Sequence, residues 1–137
     1  DTLPPDVYLA NKLYSPSYIS LEFALSYHGV IPETVYEITS VSPKATRRFE
    51  ALGKVFSYHK IKKSVYTGYE IQKQQGVSFY IASAEKAFVD THYLRLMSNQ
   101  KPISRFNKEK IKREKVMHYV KLFGKTKLTN SIKTILL

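Results

Sequence analysis

Leu21, Ala24, Leu25 and His28 recur at i, i+3, i+4 and i+7, the spacing that lines one face of a helix. This predicts a short helix over residues 20–28. A hydroxyl from Ser20 or Ser17 is placed to cap its first free N–H groups. Gly29 falls where a left-handed residue closes a helix, and Pro32 prevents its continuation. Residues 34–41, TVYEITSV, are rich in β-branched and aromatic side chains and predict a strand. Residues 42–45, SPKA, break it. Residues 46–61 predict a hairpin turning at Ala51-Leu52-Gly53. A second hairpin pairs 68–74 with 77–83 across Gln75-Gly76. In it VSFYIA is almost continuously apolar, the mark of a central strand.

A second helix is predicted from Ser83, an N-cap, with Glu85 in the first turn where the helix dipole favours an anion. Ala84, Ala87, Phe88, Thr91 and Leu94 or Arg95 mark its inner side, and residues 99–102 end it. Beyond it, Asn107 is placed to cap a helix reaching Phe123, with Val116, Val120 and Phe123 on one stripe and Gly124 at its end. Leu128, Ile132, Ile135 and Leu136 stripe a last helix over 128–137. Such faces need covering, so the pair is expected to pack on the body. Pro4-Pro5 makes residues 1–14 read as a linker, or an edge segment through Val7, Tyr8 and Leu9. The expected fold is α+β: antiparallel strands in hairpins flanked by helices, with a basic helical C-terminal segment. Residues 15–100 form the α/β domain, and the helices of 101–137 pack on it.

Composition narrows the class. A chain of 137 residues buries about two-thirds of its unfolded surface, enough for a real core. The absence of cysteine removes disulfides, thiolate metal sites and a Cys nucleophile, and fits a reducing cytoplasm. No signal peptide or membrane-spanning run is visible. The chain starts at Asp1, not Met, which suggests a piece of something longer. Charge is uneven. Residues 1–100 hold 11 Lys+Arg against 9 Asp+Glu, and residues 101–137 hold 11 against 2. This concentration points to a polyanionic partner.

Catalytic patterns are sparse. His28, His59, His92 and His118 show no metal-pair spacing, and His28, continuing an apolar face, reads as a hydrogen-bonded core histidine. His59, beside Lys60, reads as half exposed. Glu85 and Asp90 lie about 140° apart around a helix and do not share a face. Glu70 and Lys73 resemble a nuclease pair, but strand alternation puts them on opposite faces. The scattered glycines form no phosphate loop. No catalytic residue, cofactor or metal is expected. Lys108, Lys110, Lys112, Arg113 and Lys115 crowd the predicted start of the third helix, and Lys121, Lys125 and Lys127 follow. With Arg47 and Arg48 they are the candidate nucleic-acid contacts, phosphate-led and salt-sensitive. An ordinary solvated face is the competing reading.

ANKLYSPSYISLEFALSYHGVIPETVYEITSV, TRRFEALGKVFSYHKI with its following GYE, and IASAEKAFVDTHYL resemble, in order, blocks of the AbiEi family. These are antitoxins of the AbiE abortive-infection systems. The first block carries the family's Ser-x-Ser-Tyr-x-Ser-x-x-x-Ala-Leu-x-x-His-Gly pattern as Ser15 to Gly29. The last carries Ala-x-x-Glu-Lys-Ala-x-x-Asp as Ala82 to Asp90. The match runs from about residue 10 to 94; the tail matches only in being helical and basic. The resemblance implies a cytoplasmic, non-enzymatic antitoxin and regulator of a type IV toxin–antitoxin system. Its partners would be a nucleotidyltransferase-like toxin and operator DNA. Longer family members place a winged helix-turn-helix ahead of this domain, and the stretch before the first block is too short for one. Ser20, His28, Gly29, Glu85, Lys86 and Asp90 are the motif residues carried over. Their role is expected to be architectural, although Tyr18, Tyr27, Glu85 and Asp90 also suit a contact site. The alternatives are a DNA-binding protein acting only through the basic C-terminal helices, a nuclease-like enzyme using Glu70 and Lys73, and simple oligomerisation through a Tyr-rich surface.

Overall fold

The computed structural model describes residues 5–137, so Asp1–Pro4 of the expected linker lie outside the described residues. From Asp6 the chain is already helical. Helix α1 spans Asp6–Leu13 and buries Val7 and Ala10, one helical turn apart. The expected linker or edge segment is therefore corrected. Proline is tolerated at a helix start, where its missing N–H costs nothing, and Asp6 meets the positive end of the dipole. Pro5 marks the helix entry.

The described residues form five α-helices and one six-stranded sheet. The strands are β1 (Tyr18–Ile19), β2 (Ile38–Ser42), β3 (Arg47–Ala51), β4 (Lys54–Lys60), β5 (Tyr69–Gln74) and β6 (Val77–Ala82). Both expected hairpins are present, β3–β4 and β5–β6. Leu52 and Gly53, and Gln75 and Gly76, all have positive φ. That backbone twist suits two-residue hairpins. The hairpins are joined by pairings with no local signal. β2 runs parallel to β4, and the two-residue β1 runs antiparallel to β2 and parallel to β6. The order is β3-β4-β2-β1-β6-β5. β2 and the short β1 at the middle of the sheet are buried along their whole length, and β6, expected to be central, lies one place from the edge.

Helix α2 (Leu21–Tyr27) ends as its sequence predicts. Val30 N–H reaches Leu25 O and Gly29 N–H reaches Ser26 O, the paired bonds of a Schellman stop, with Gly29 at φ +74°. Its start differs from expectation. Neither Ser20 nor Ser17 caps it: the Ser17 hydroxyl donates to Tyr14 O and the Ser20 hydroxyl to Asp90. The cap comes from across the sheet. The Thr39 hydroxyl accepts Phe23 N–H at 3.0 Å and donates to Ser20 O at 2.6 Å.

Helix α3 (Ala84–Met97) has the expected cap, Ser83 Oγ accepting Lys86 N–H. The periodicity of its inner side fails, because every residue from Glu85 to Tyr93 is buried. α3 packs against α2, against β6 and against the C-terminal helices α4 (Arg113–Phe123) and α5 (Thr126–Ile135). Val116, Val120, Leu128 and Ile132 are buried in that unit. Between α3 and α4, His92 holds the chain. Its Nδ1–H donates to Phe88 O at 2.7 Å, and its Nε2 accepts Ile103 N–H at 3.2 Å. No described helix is long and apolar enough to cross a membrane.

Candidate functional site

Three of the motif residues, Ser20, Lys86 and Asp90, gather at a buried polar node. Lys86 and Asp90, one turn apart on α3, form an ion pair at 2.6 Å with both side chains fully buried. From β1, Tyr18 OH donates to Asp90 Oδ2 and receives a bond from Lys86 Nζ, at 2.9 and 2.8 Å. The Ser20 hydroxyl adds a bond to Asp90 Oδ2 at 2.9 Å. The Phe123 ring of α4 lies 5.2 Å from Lys86 Nζ, and the carbonyl of Thr67 lies within 3.2 Å of Tyr18 OH. The node therefore ties together β1, α3, α4 and the loop before β5.

Burial drives Lys86 below its ordinary pKa and Asp90 above its own, and their mutual attraction opposes both shifts. Burial, then the neighbouring Asp90 carboxylate, drives Tyr18 well above its ordinary value. Two charges in a dry interior persist only when paired and hydrogen-bonded, and here both conditions hold. All four side chains, Tyr18, Ser20, Lys86 and Asp90, are without exposed surface, an arrangement suited to fastening the segments together.

Gly68 explains how tightly the node is covered. Its φ is +82°, and a Cβ there would stand 2.7 Å from Lys86 Cγ and 2.9 Å from the Tyr119 ring. Glycine is needed for both the backbone angle and the space.

The remaining motif residues also hold structure. His28 Nε2 bonds Ala82 O at 2.7 Å in a half-buried position, and Gly29 ends α2. Glu85 is 7% exposed, and its carboxylate accepts Lys112 N–H at 2.8 Å. That bond corrects the expected third helix. Asn107 does act as a cap, but of a 3₁₀ turn at Lys108–Lys110. Ile111 then buries itself in an extended conformation, Lys112 turns its N–H to Glu85, and α4 starts only at Arg113. The cations predicted on one helix start are split between two turns.

These cations face outward. Lys108, Lys110, Lys112, Arg113, Lys115, Lys121 and Lys127 are exposed and Lys125 half-buried. Among the described residues none of them makes an ion pair. Lys108 Nζ holds Leu137 O at 2.7 Å and Arg113 reaches Leu136 O at 3.4 Å, so these two hold main-chain oxygens just past α5. Lys112, Arg113 and Lys115 surround the start of α4, and Lys125 and Lys127 that of α5. Cations there oppose the helix dipole, and they sharpen a positive field. Arg47 and Arg48 are exposed on β3, at one end of the sheet. As sequence neighbours on a strand they point to opposite faces and do not join the C-terminal group.

Sequence reasoning did not locate two features, the first of them the Tyr-rich surface. Tyr66, Tyr69 and Tyr80 cluster, with ring centroids 5.4 and 5.6 Å apart, and Tyr69 stacks on Tyr18 at 4.7 Å. Together with Tyr8, Lys12 and Ile71 they line a groove of about 820 Å³. The tyrosine count was its only signal. The other is Thr39, whose capping role depends on a pairing distant in sequence. Glu70, the nuclease candidate, accepts a bond from Gln72 at 3.0 Å on the exposed edge strand. No family model, curated protein or solved structure matches the chain.

Proposed function

We propose that this chain is the antitoxin and regulatory domain of an AbiE-type toxin–antitoxin system, a non-enzymatic protein of the cytoplasm. It would oppose a nucleotidyltransferase-like toxin and contribute DNA contacts through its C-terminal helical unit. The observation that carries the reading is the convergence of Ser20, Lys86 and Asp90. These residues come from two of the sequence blocks that carry the resemblance, and they share one hydrogen-bonded cluster. Motif residues that meet in one fastening support a common architecture. The unpaired cations of α4, α5 and the preceding turn support contact with a polyanion.

The test is growth rescue. The full chain is co-expressed with the nucleotidyltransferase-like gene neighbouring its own, and colony growth is scored. Rescue supports the proposal. Continued toxicity with both proteins soluble would sink it. A DNA-binding role alone, the second reading, rests on the same unpaired cations and predicts operator binding without rescue. Removing residues 101–137 is a poor variant for this purpose, because Val116, Val120, Leu128 and Ile132 belong to the core. Substitutions confined to exposed lysines separate binding from folding.

A further inference from the structure

The two ends of the sheet are built differently. β3 carries Arg47, Arg48 and Glu50 at its exposed positions, the charged cover that keeps an edge from pairing. β5 also exposes two charges, Glu70 and Lys73, but beside them Tyr69 is exposed by 40% and Ile71 by 61%, with Tyr80 at 44%. It contains no proline and pairs with β6 alone.

Its main chain is also poised. The two-residue turn makes Gln74 and Val77 the first pair of the hairpin. In an antiparallel ladder hydrogen-bonded and non-bonded pairs alternate. Gln74, Gln72 and Glu70 thus bond inward to β6, while Tyr69, Ile71 and Lys73 turn their N–H and C=O groups outward. Tyr80, opposite Ile71, gives an independent check. Its own N–H and C=O must point away from β5, and the Asn11 side chain takes both, at 2.6 and 3.3 Å.

We infer that β5 is the edge through which two copies of this chain join, antiparallel about a two-fold axis, with Ile71 facing Ile71. Charge selects the register. Centring the axis on Glu70 or on Lys73 sets that residue against its own copy, and like charges directly opposite are destabilising. Centring on Gln72 leaves Tyr69 against Gln75, whose φ of +52° takes it out of the strand. Centring on Ile71 sets Tyr69 against Lys73 and Glu70 against Gln72. No like charges meet, and every outward main-chain group finds its match. The same pairing covers Ile71, the most exposed large apolar side chain of the strand. The inference is independent of the function proposed above.

The chain has no cysteine, so single-cysteine variants test the register directly. Directly opposed Cα atoms lie about 4.5–5.5 Å apart, within disulfide reach, and diagonal ones about 7–8 Å, beyond it. Ile71→Cys, mildly oxidised with oxidised glutathione, is expected to run as a covalent dimer on a non-reducing gel. Glu70→Cys and Gln72→Cys are each expected to stay monomeric alone but to cross-link when mixed. Light scattering of the unmodified chain should show the 15.8 kDa mass rising toward double with concentration. Ile71→Lys should weaken that association at least about tenfold, a change of 1.4 kcal/mol, without changing the circular dichroism. A constant monomer mass at high concentration, with Ile71→Cys linking no faster than the other variants, would overturn the inference. So would cross-linking of Gln72→Cys alone.

Discussion

Lys86 and Lys121 sit on neighbouring helices and have opposite fates. Lys86 is wholly buried, held by Asp90 and Tyr18 and covered by Phe123. Lys121, like most of the C-terminal cations, is exposed and has no anionic partner among the described residues. In the interior a charge left alone costs several kcal/mol, so Lys86 commits four segments of chain to its pairing. At the surface water screens a lone charge at little cost, so an excess of lysines leaves the fold free and is available to a partner. The same side chain is architecture in one place and potential recognition in the other.

The largest expected effect breaks the buried side of this comparison. Lys86→Ala strands the Asp90 carboxylate in a dry site, and removal of one partner of a buried pair costs about 3–5 kcal/mol. For a chain of 137 residues this lowers the midpoint of thermal unfolding by roughly 10–15 °C. Replacing both charges, Lys86→Met with Asp90→Leu, should recover much of the loss, since no charge is then stranded. Urea titration of the two single variants and the double variant gives the coupling. A single-variant loss below about 1 kcal/mol would mean that the node does not hold the fold together.

The node shows what can be read from sequence. Lys86 and Asp90 stand four apart on a helix, a spacing most often met as a solvated surface pair. Nothing in the local pattern places them in the core, because α3 is covered on several sides, while the face its sequence marks, through Ala84, Ala87, Phe88 and Thr91, passes both residues by. Only the family resemblance singled them out. The hairpins and the stop of α2 were legible because turns and helix ends are local chemistry, written in Leu52-Gly53, Gln75-Gly76 and His28-Gly29. The parallel pairings of β1 with β6 and β2 with β4 join residues far apart in sequence. So does the use of Thr39 in place of Ser20 as the cap of α2. The start of α4 was misplaced for the same reason. Asn107 is a sound local cap, but Glu85, distant in sequence, takes the N–H of Lys112 and fixes where the helix begins.

A second buried group sharpens the comparison through pH. His92 is 3% exposed, and burial lowers its pKa to about 4. Its folded pKa lies below its unfolded value near 6.5, so between these values the unfolded chain binds more protons. The stabilising contribution of neutral His92 is full above pH 6.5 and is lost as pH falls toward 4. A difference of this size is worth roughly 3 kcal/mol. Unfolding free energies measured by urea at pH 7 and pH 4.5 should differ more in the unmodified chain than in His92→Gln. Equal pH dependence in the two would show that the imidazole is not held neutral between Phe88 O and Ile103 N–H.

The smallest effect on stability is expected where the sequence is most charged. Changing Lys112, Lys115, Lys121, Lys125 and Lys127 together to Gln removes five cations that have no ion-pair partner. It leaves Lys108 and Arg113 on their main-chain oxygens just past α5. Four of the five are exposed and Lys125 is half-buried, and surface substitutions of this kind shift stability by about 0.5 kcal/mol or less each. Here relief of like-charge crowding offsets part of that, so the urea midpoint should stay almost unchanged. Binding to duplex DNA should respond strongly. Each cation that neutralises a phosphate contributes about 0.9 to the slope of log affinity against log salt, so the variant should bind more weakly and with a shallower slope. A slope equal to that of the unmodified chain would mean that these lysines meet no phosphate and are a solvated face. A large loss of stability would place them, with Lys86, among the charges the fold depends on.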